Sequence, residues 1–149
     1  MMMTDIADLK QKYIALYGTE GCTAEELLRI EAALDVQLPD DFKMISEFYS
    51  GGFLGGISHH EIATHGEATN IVQETLRIRK AIGLNKAFIV LAEPSGSLIV
   101  LDVRGNPSVI WCDAVEADGL KVMGFVNEPN VWESYASFFS YMLSQENEE

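Results

Sequence analysis

The chain has 149 residues, 48% of them hydrophobic and 22% charged, with 10 Lys plus Arg against 23 Asp plus Glu for a formal net charge of −13. At this length folding removes about 70% of the unfolded chain's surface from water, so a core needs no disulfide or metal staple. The apolar content excludes disorder and no apolar run reaches the ~18 residues of a spanning helix. The acidity opposes tight binding to nucleic acid or an anionic lipid face, both of which require clustered cations.

In chain order, Thr4 is placed to cap a first helix whose Ile6, Leu9, Tyr13 and Leu16 share a face, with Gly18 ending it. Thr23-Ala24-Glu25-Glu26 has capping-box spacing, and Leu27, Ile30 and Leu34 follow at helical intervals. At Leu38-Pro39-Asp40-Asp41, Pro39 suits the first position of a third helix and the two aspartates face the positive end of its dipole. Phe42, Ile45, Phe48 and Tyr49 form the buried stripe of that helix, and Gly51-Gly52 can supply the left-handed turn that stops it. A fourth helix is expected over about residues 68–82, with Gly83 past its end.

The period then changes. Residues 87–91 and 98–101 are short apolar runs joined by Glu93-Pro94-Ser95-Gly96, which reads as a hairpin. Gly105-Asn106-Pro107 leads into a third strand at 109–112, and Asp118-Gly119 into a fourth at 121–126 with a bulge at Gly124. Asn130, with Glu133 three residues on, can cap a closing helix whose Trp132, Tyr135, Ala136, Phe139 and Leu143 face inward. Helices, then consecutive strands, then a helix make an α+β fold with an antiparallel sheet. No repeat or linker divides the chain, so one domain is expected over residues 1–144, followed by an acidic tail at 145–149 that frays into solvent.

The charge is unevenly spread. Residues 20–47 carry a net −6 and residues 108–149 a net −7, while Arg77, Arg79, Lys80 and Lys86 form an acid-free basic stretch. Cys22 and Cys112 have no CxxC partner, a usage that suits a reducing compartment, and Met1-Met2-Met3-Thr4-Asp5 has no basic region followed by an apolar stretch. A cytoplasmic location without signal peptide is therefore expected.

Catalytic patterns fail on inspection. His59-His60-Glu61-Ile62-Ala63-Thr64-His65 resembles a zinc-protease helix, but its outer histidines are five apart rather than four and would point about 140° apart on a regular helix. Gly51-Gly52-Phe53-Leu54-Gly55-Gly56 lacks the Gly-Lys-Ser/Thr ending of a phosphate loop and follows a helix instead of a strand. There is no Gly-x-Ser-x-Gly elbow, and the paired acids Glu25-Glu26 and Asp40-Asp41 sit where helix N-termini favour negative charge. No catalytic residue, metal ligand or cofactor is assigned.

The run from Ile30 through Leu38-Pro39-Asp40-Asp41-Phe42-Lys43, closed by Phe48-Tyr49-Ser50-Gly51-Gly52, resembles the SUKH superfamily. The hairpin, Val109-Ile110-Trp111-Cys112-Asp113 and the closing Tyr135-Ala136-Ser137-Phe138-Phe139 helix fall in that family's order. Ser50 stands where Asn is more usual, and residues 57–68 match nothing in the pattern. The resemblance implies an antiparallel or mixed sheet of about six strands flanked by N-terminal helices and a C-terminal helix, in which Leu38, Pro39, Gly51 and Gly52 hold the fold. It also implies a non-catalytic role: bacterial members resemble immunity proteins that neutralise a secreted toxin, often a nuclease, and others look like regulatory interaction modules, including fungal ones tied to cell-wall synthesis.

An acidic domain can cover the cationic surface with which a nuclease holds its substrate. The expected partner is thus a basic toxin domain, contacted through the sheet and its loops by Glu93, Asp102, Asp113, Glu116 and Asp118 with Trp111 as anchor. The alternative is a regulatory protein-interaction module, and an unrecognised hydrolase using the three histidines is a third reading.

Overall fold

The computed structural model describes residues 5–105 and 107–146. Four helices account for most of the first half: α1 (Ile6–Tyr17), α2 (Ala24–Leu34), α3 (Asp40–Ser46) and, after a hairpin of β1 (Gly52–Leu54) and β2 (Ile57–His59), α4 (Ile71–Ile82). Strands β3 (Phe88–Ala92), β4 (Ser97–Asp102) and β5 (Val109–Asp113) follow, then a 3-10 helix (Ala114–Lys121), β6 (Asn130–Trp132) and α5 (Tyr135–Gln145). The six strands form one antiparallel sheet in sequence order, so the expected α+β class holds.

Alternation along the central strands builds two cores. Ile89, Leu91, Ile99, Leu101 and Val109 face a large core formed with α1, α2, α3 and α5, while Phe88, Val90, Leu98, Val100, Ile110 and Cys112 face a smaller one closed by Ile78, Ile82, Leu84, Leu120 and Phe125. With β3 and β4 buried on both faces, no open sheet surface remains there for a partner; only edges, ends and loops do. The edge of β3 is closed too: β2 pairs with it only at His59↔Ala92, and the Val90 N–H donates instead to Thr75 Oγ1 of α4 at 2.9 Å.

The helix caps follow local chemistry. Asp5 caps α1, since its side chain accepts from the N–H groups of Ala7 and Asp8; Thr4 lies outside the described residues. Thr23 caps α2 as its spacing predicts, and Asn70 caps α4, which therefore starts three residues later than the expected 68. Pro39 occupies the N-cap of α3, one position before the expected one, and Leu38 beside it is buried with its N–H on Glu31 Oε2 at 2.8 Å. Asp41 reaches further than its own helix: its carboxylate accepts from the Ala136 N–H at the start of α5.

Several expectations are corrected. Helix α3 stops at Ser46, so Gly51-Gly52 does not end it. Both glycines have φ near +98°, and a Cβ on Gly51 would lie 2.5 Å from the His60 carbonyl oxygen, so the pair permits a close backbone crossing as β1 begins. The expected strand at 121–126 is absent: the chain turns through the 3-10 helix and a loop, and the register shift in the sheet lies between Val90 and Ala92, not at Gly124. Asn130 belongs to β6, and Ser134 caps the last helix through Ser137 N–H. The acidic end is not all tail, because Gln145 closes α5 and Glu146 accepts from the Gly55 N–H at 3.0 Å; residues 147–149, like Asn106, lie outside the described residues.

Candidate functional site

Register decides which candidate residues meet. Ala92 at the end of β3, Ser97 at the start of β4 and Asp113 at the end of β5 share one end of the sheet, where Ser97 pairs with Asp113 and His59 with Ala92. Glu93, Asp113 and the 3-10 helix carrying Glu116 and Asp118 therefore emerge at this end. Asp102 ends β4 at the opposite end; it is buried, and Arg104 donates to both its oxygens at 2.9 and 3.0 Å, so it offers no free charge. Trp111 is half-buried against the large core with its ring 6.5 Å from Trp132, which packs in turn on Phe138 and Tyr141.

Glu93 is committed to a closed polar corner. Arg77 of α4 donates to both its oxygens at 2.6 and 2.7 Å and to Glu74 at 2.8 Å. His60 Nε2 lies 2.9 Å from Glu93, and its Nδ1 lies 2.8 Å from the Thr69 hydroxyl, so both ring nitrogens are used. Burial raises the Glu93 pKa, but the hydrogen bonds from Arg77 and His60 outweigh it and hold the carboxyl below its ordinary range. Among the described residues only His60, Glu74 and Glu93 bring metal-ligating atoms within 4.8 Å of one another, and the Arg77 guanidinium already occupies the place of a cation there.

The histidine motif disperses. His59 enters the core, with Nε2 donating to the Leu54 carbonyl at 3.1 Å and its ring edge-on to Tyr49 and Phe138; burial pushes its pKa down to about 4, so it stays neutral. His65 is exposed beside Thr64, whose N–H and hydroxyl both donate to Glu26. Three rings with three separate partners cannot converge on one metal or substrate. Burial holds the Cys22 and Cys112 thiols up at about 11, which removes them as thiolate nucleophiles.

Three of the four residues of the basic stretch are spent within the fold, and Lys80 is exposed. Arg79 donates to the Leu34 and Lys86 carbonyls, and Lys86 pairs with Asp35 at 2.9 Å, which ties α4 to the end of α2.

The acids after β5 behave differently. Glu116 uses its carboxylate to accept from the backbone N–H groups of Val126 and Asn127, and the Asn127 side chain donates to Asp113 at 3.0 Å. Asp118 is exposed, with Lys121 at 3.9 Å. Around them Val115, Val122 and Val126 stand 94%, 81% and 93% exposed. Sequence reasoning missed this apolar group because it placed Val122 and Val126 in a strand; the adjacent Asp118-Gly119 and Gly124 were the available signals of a loop.

A model of the SMI1 / KNR4 family (SUKH-1) matches residues 21–145. The chain belongs to this family. Membership makes the SUKH chain an immunity-type or regulatory domain of a kind that is generally non-catalytic. No curated protein matches the chain. Among the described residues of this SUKH domain, no helix is long and apolar enough to cross a membrane.

Proposed function

We propose that this SUKH domain is a cytoplasmic immunity protein that binds and neutralises a cognate secreted toxin, a nuclease with a basic substrate-binding surface, and does so without chemistry of its own. The observation that carries the reading is the unbalanced acidity: of the net −13, Arg77 and Lys86 are bound to Glu74, Glu93 and Asp35 and Arg79 to backbone carbonyls, while Asp113 and Asp118 stay without a full counter-charge at one end of the sheet. A nuclease must present cations to a phosphate backbone, so such a surface both steers encounter and competes for those cations. Of the six candidate contact residues, Asp113, Glu116 and Asp118 make up the proposed contact; Glu93 and Trp111 border it, and Asp102 lies away from it.

The test is co-expression with each toxin domain encoded beside the gene. Protection of the cell, and a complex whose association slows as salt rises, are the expected results. Failure to bind or protect against every such domain overturns the immunity reading and favours a regulatory module serving a host protein.

A further inference from the structure

The segment from Ala114 to Asn127 has three features that a connecting loop does not need. It displays three valines nearly bare to solvent, while its neighbours Ala117, Leu120 and Phe125 fill the smaller core. Single exposed apolar residues are ordinary, but several on one short loop mark a contact surface. The loop is also held closed from within: Glu116 clasps the N–H groups of Val126 and Asn127, and Gly119 accepts through its carbonyl from Val122 and Gly124 at 3.2 and 3.0 Å. Gly119 leaves no room for a side chain, since a Cβ there would sit 2.3 Å from the Gly124 oxygen, and Met123 adopts the left-handed φ of +52° rarely taken by a residue with a side chain. A loop ordered before it meets a partner loses little entropy on binding.

Charge selects the occupant. Along the chain Asp113, Asp118 and the exposed Glu128 flank the valines, and Lys121 is the one base between residues 108 and 149. A second copy would oppose this rim with the same acids, and nucleic acid or anionic lipid would oppose it with phosphates. A cationic protein surface meets both requirements. We infer that the 114–127 loop is the anchor of the interface, seating Val115, Val122 and Val126 in an apolar hollow on a basic protein while Asp113, Asp118 and Glu128 engage the cations around it. The inference rests on the immunity reading for the partner's being the toxin; it adds which element binds and which side chains give slow release.

Titration calorimetry of the full chain against a catalytically inactivated toxin domain encoded beside its gene tests it. The triple variant V115S/V122S/V126S should lose about 100-fold or more in affinity, with an unchanged thermal midpoint because these side chains contact no core. L28S and F53S, which remove exposed apolar side chains elsewhere, should stay within about threefold of the parent. Parent binding that the triple variant retains within about threefold overturns the anchor and leaves the immunity reading standing. No binding by the parent chain to any neighbouring toxin domain overturns both. A concentration-dependent dimer in sedimentation, dissolved by the triple variant, would make a second copy the occupant and overturn the choice of a cationic partner.

Discussion

The corner around Arg77 and the loop around Glu116 both gather carboxylates near the same end of the sheet, and they use them in opposite ways. At the corner, Glu74 and Glu93 share one guanidinium, with His60 and Thr69 completing the network, so half of their charge is cancelled internally. In the loop, Glu116 accepts from backbone N–H groups and Asp113 from an amide, so their negative charge is shaped but not cancelled. Charge counted along a sequence is therefore not charge available to a partner. Of the two regions, the loop keeps both its acidity and its apolar side chains facing water.

That contrast can be broken or sharpened by experiment: changes near the corner should cost stability, and changes in the loop should not. The largest effect is expected at Gly51, beneath the His60 backbone. G51A combines positive φ with a 2.5 Å clash against the His60 oxygen and should cost more than about 2 kcal/mol in denaturant unfolding. G52A has a similar φ but nothing within 4 Å, so it should cost about half as much; equal costs would show that strain, not crowding, is what matters at Gly51.

Next comes a pH dependence centred on His59. Its pKa is lowered from 6.5 to about 4 in the folded chain, so between those values the unfolded state binds the additional proton. Stability should be complete above pH 6.5 and decline towards pH 4, by up to about 3 kcal/mol, and H59Q should flatten this decline in urea titrations at a series of pH values. Glu93 adds a separate loss at lower pH, because a carboxyl held below its ordinary range stabilises above that range and loses the contribution as it protonates.

A smaller cost, about 1 kcal/mol, is expected for R77M, since the corner is partly exposed and solvent screens it. Its sharper signature is an upward move of the Glu93 carboxyl in a carbon-detected titration; an unmoved carboxyl would mean that Arg77 does not hold it. The smallest global effect belongs to E116A, which should change the unfolding free energy by less than about 1 kcal/mol because water can reach the loop N–H groups that the half-buried carboxylate leaves. Hydrogen exchange at Val126 and Asn127 should nonetheless quicken while Val90, bound to Thr75 in the core, stays protected. Unaltered exchange at both loop amides would remove Glu116 as the clasp.

Much of the fold was legible because its signals are local. Thr23 with Glu26, the stripe of Leu27, Ile30 and Leu34, and the Pro94-Ser95-Gly96 turn each act within a few residues, and the structure has the helix, the buried face and the hairpin they predict. The weaker readings were those where a local signal had two outlets. Gly51-Gly52 could end a helix or let two backbones cross, and the 121–126 segment, interrupted by Gly124, could pair as a strand or lie open as a loop. Only neighbours distant in sequence, the His60–Glu61 backbone in one case and Glu116 in the other, select the outcome.

By itself, then, the sequence determined an α+β chain with a net charge of −13, the start of α2 and its central strands, because capping, periodicity and charge are properties of neighbouring residues. The tertiary structure alone decided that both faces of the central sheet are covered, that the three histidines part, and that Arg77 pairs with both Glu74 and Glu93 while Asp113 and Asp118 stay without a full counter-charge. The reason is that burial and ion pairing depend on which segments meet in space, and side chains that meet lie 33 residues apart at the His60–Glu93 contact and 51 apart at the Lys86–Asp35 pair.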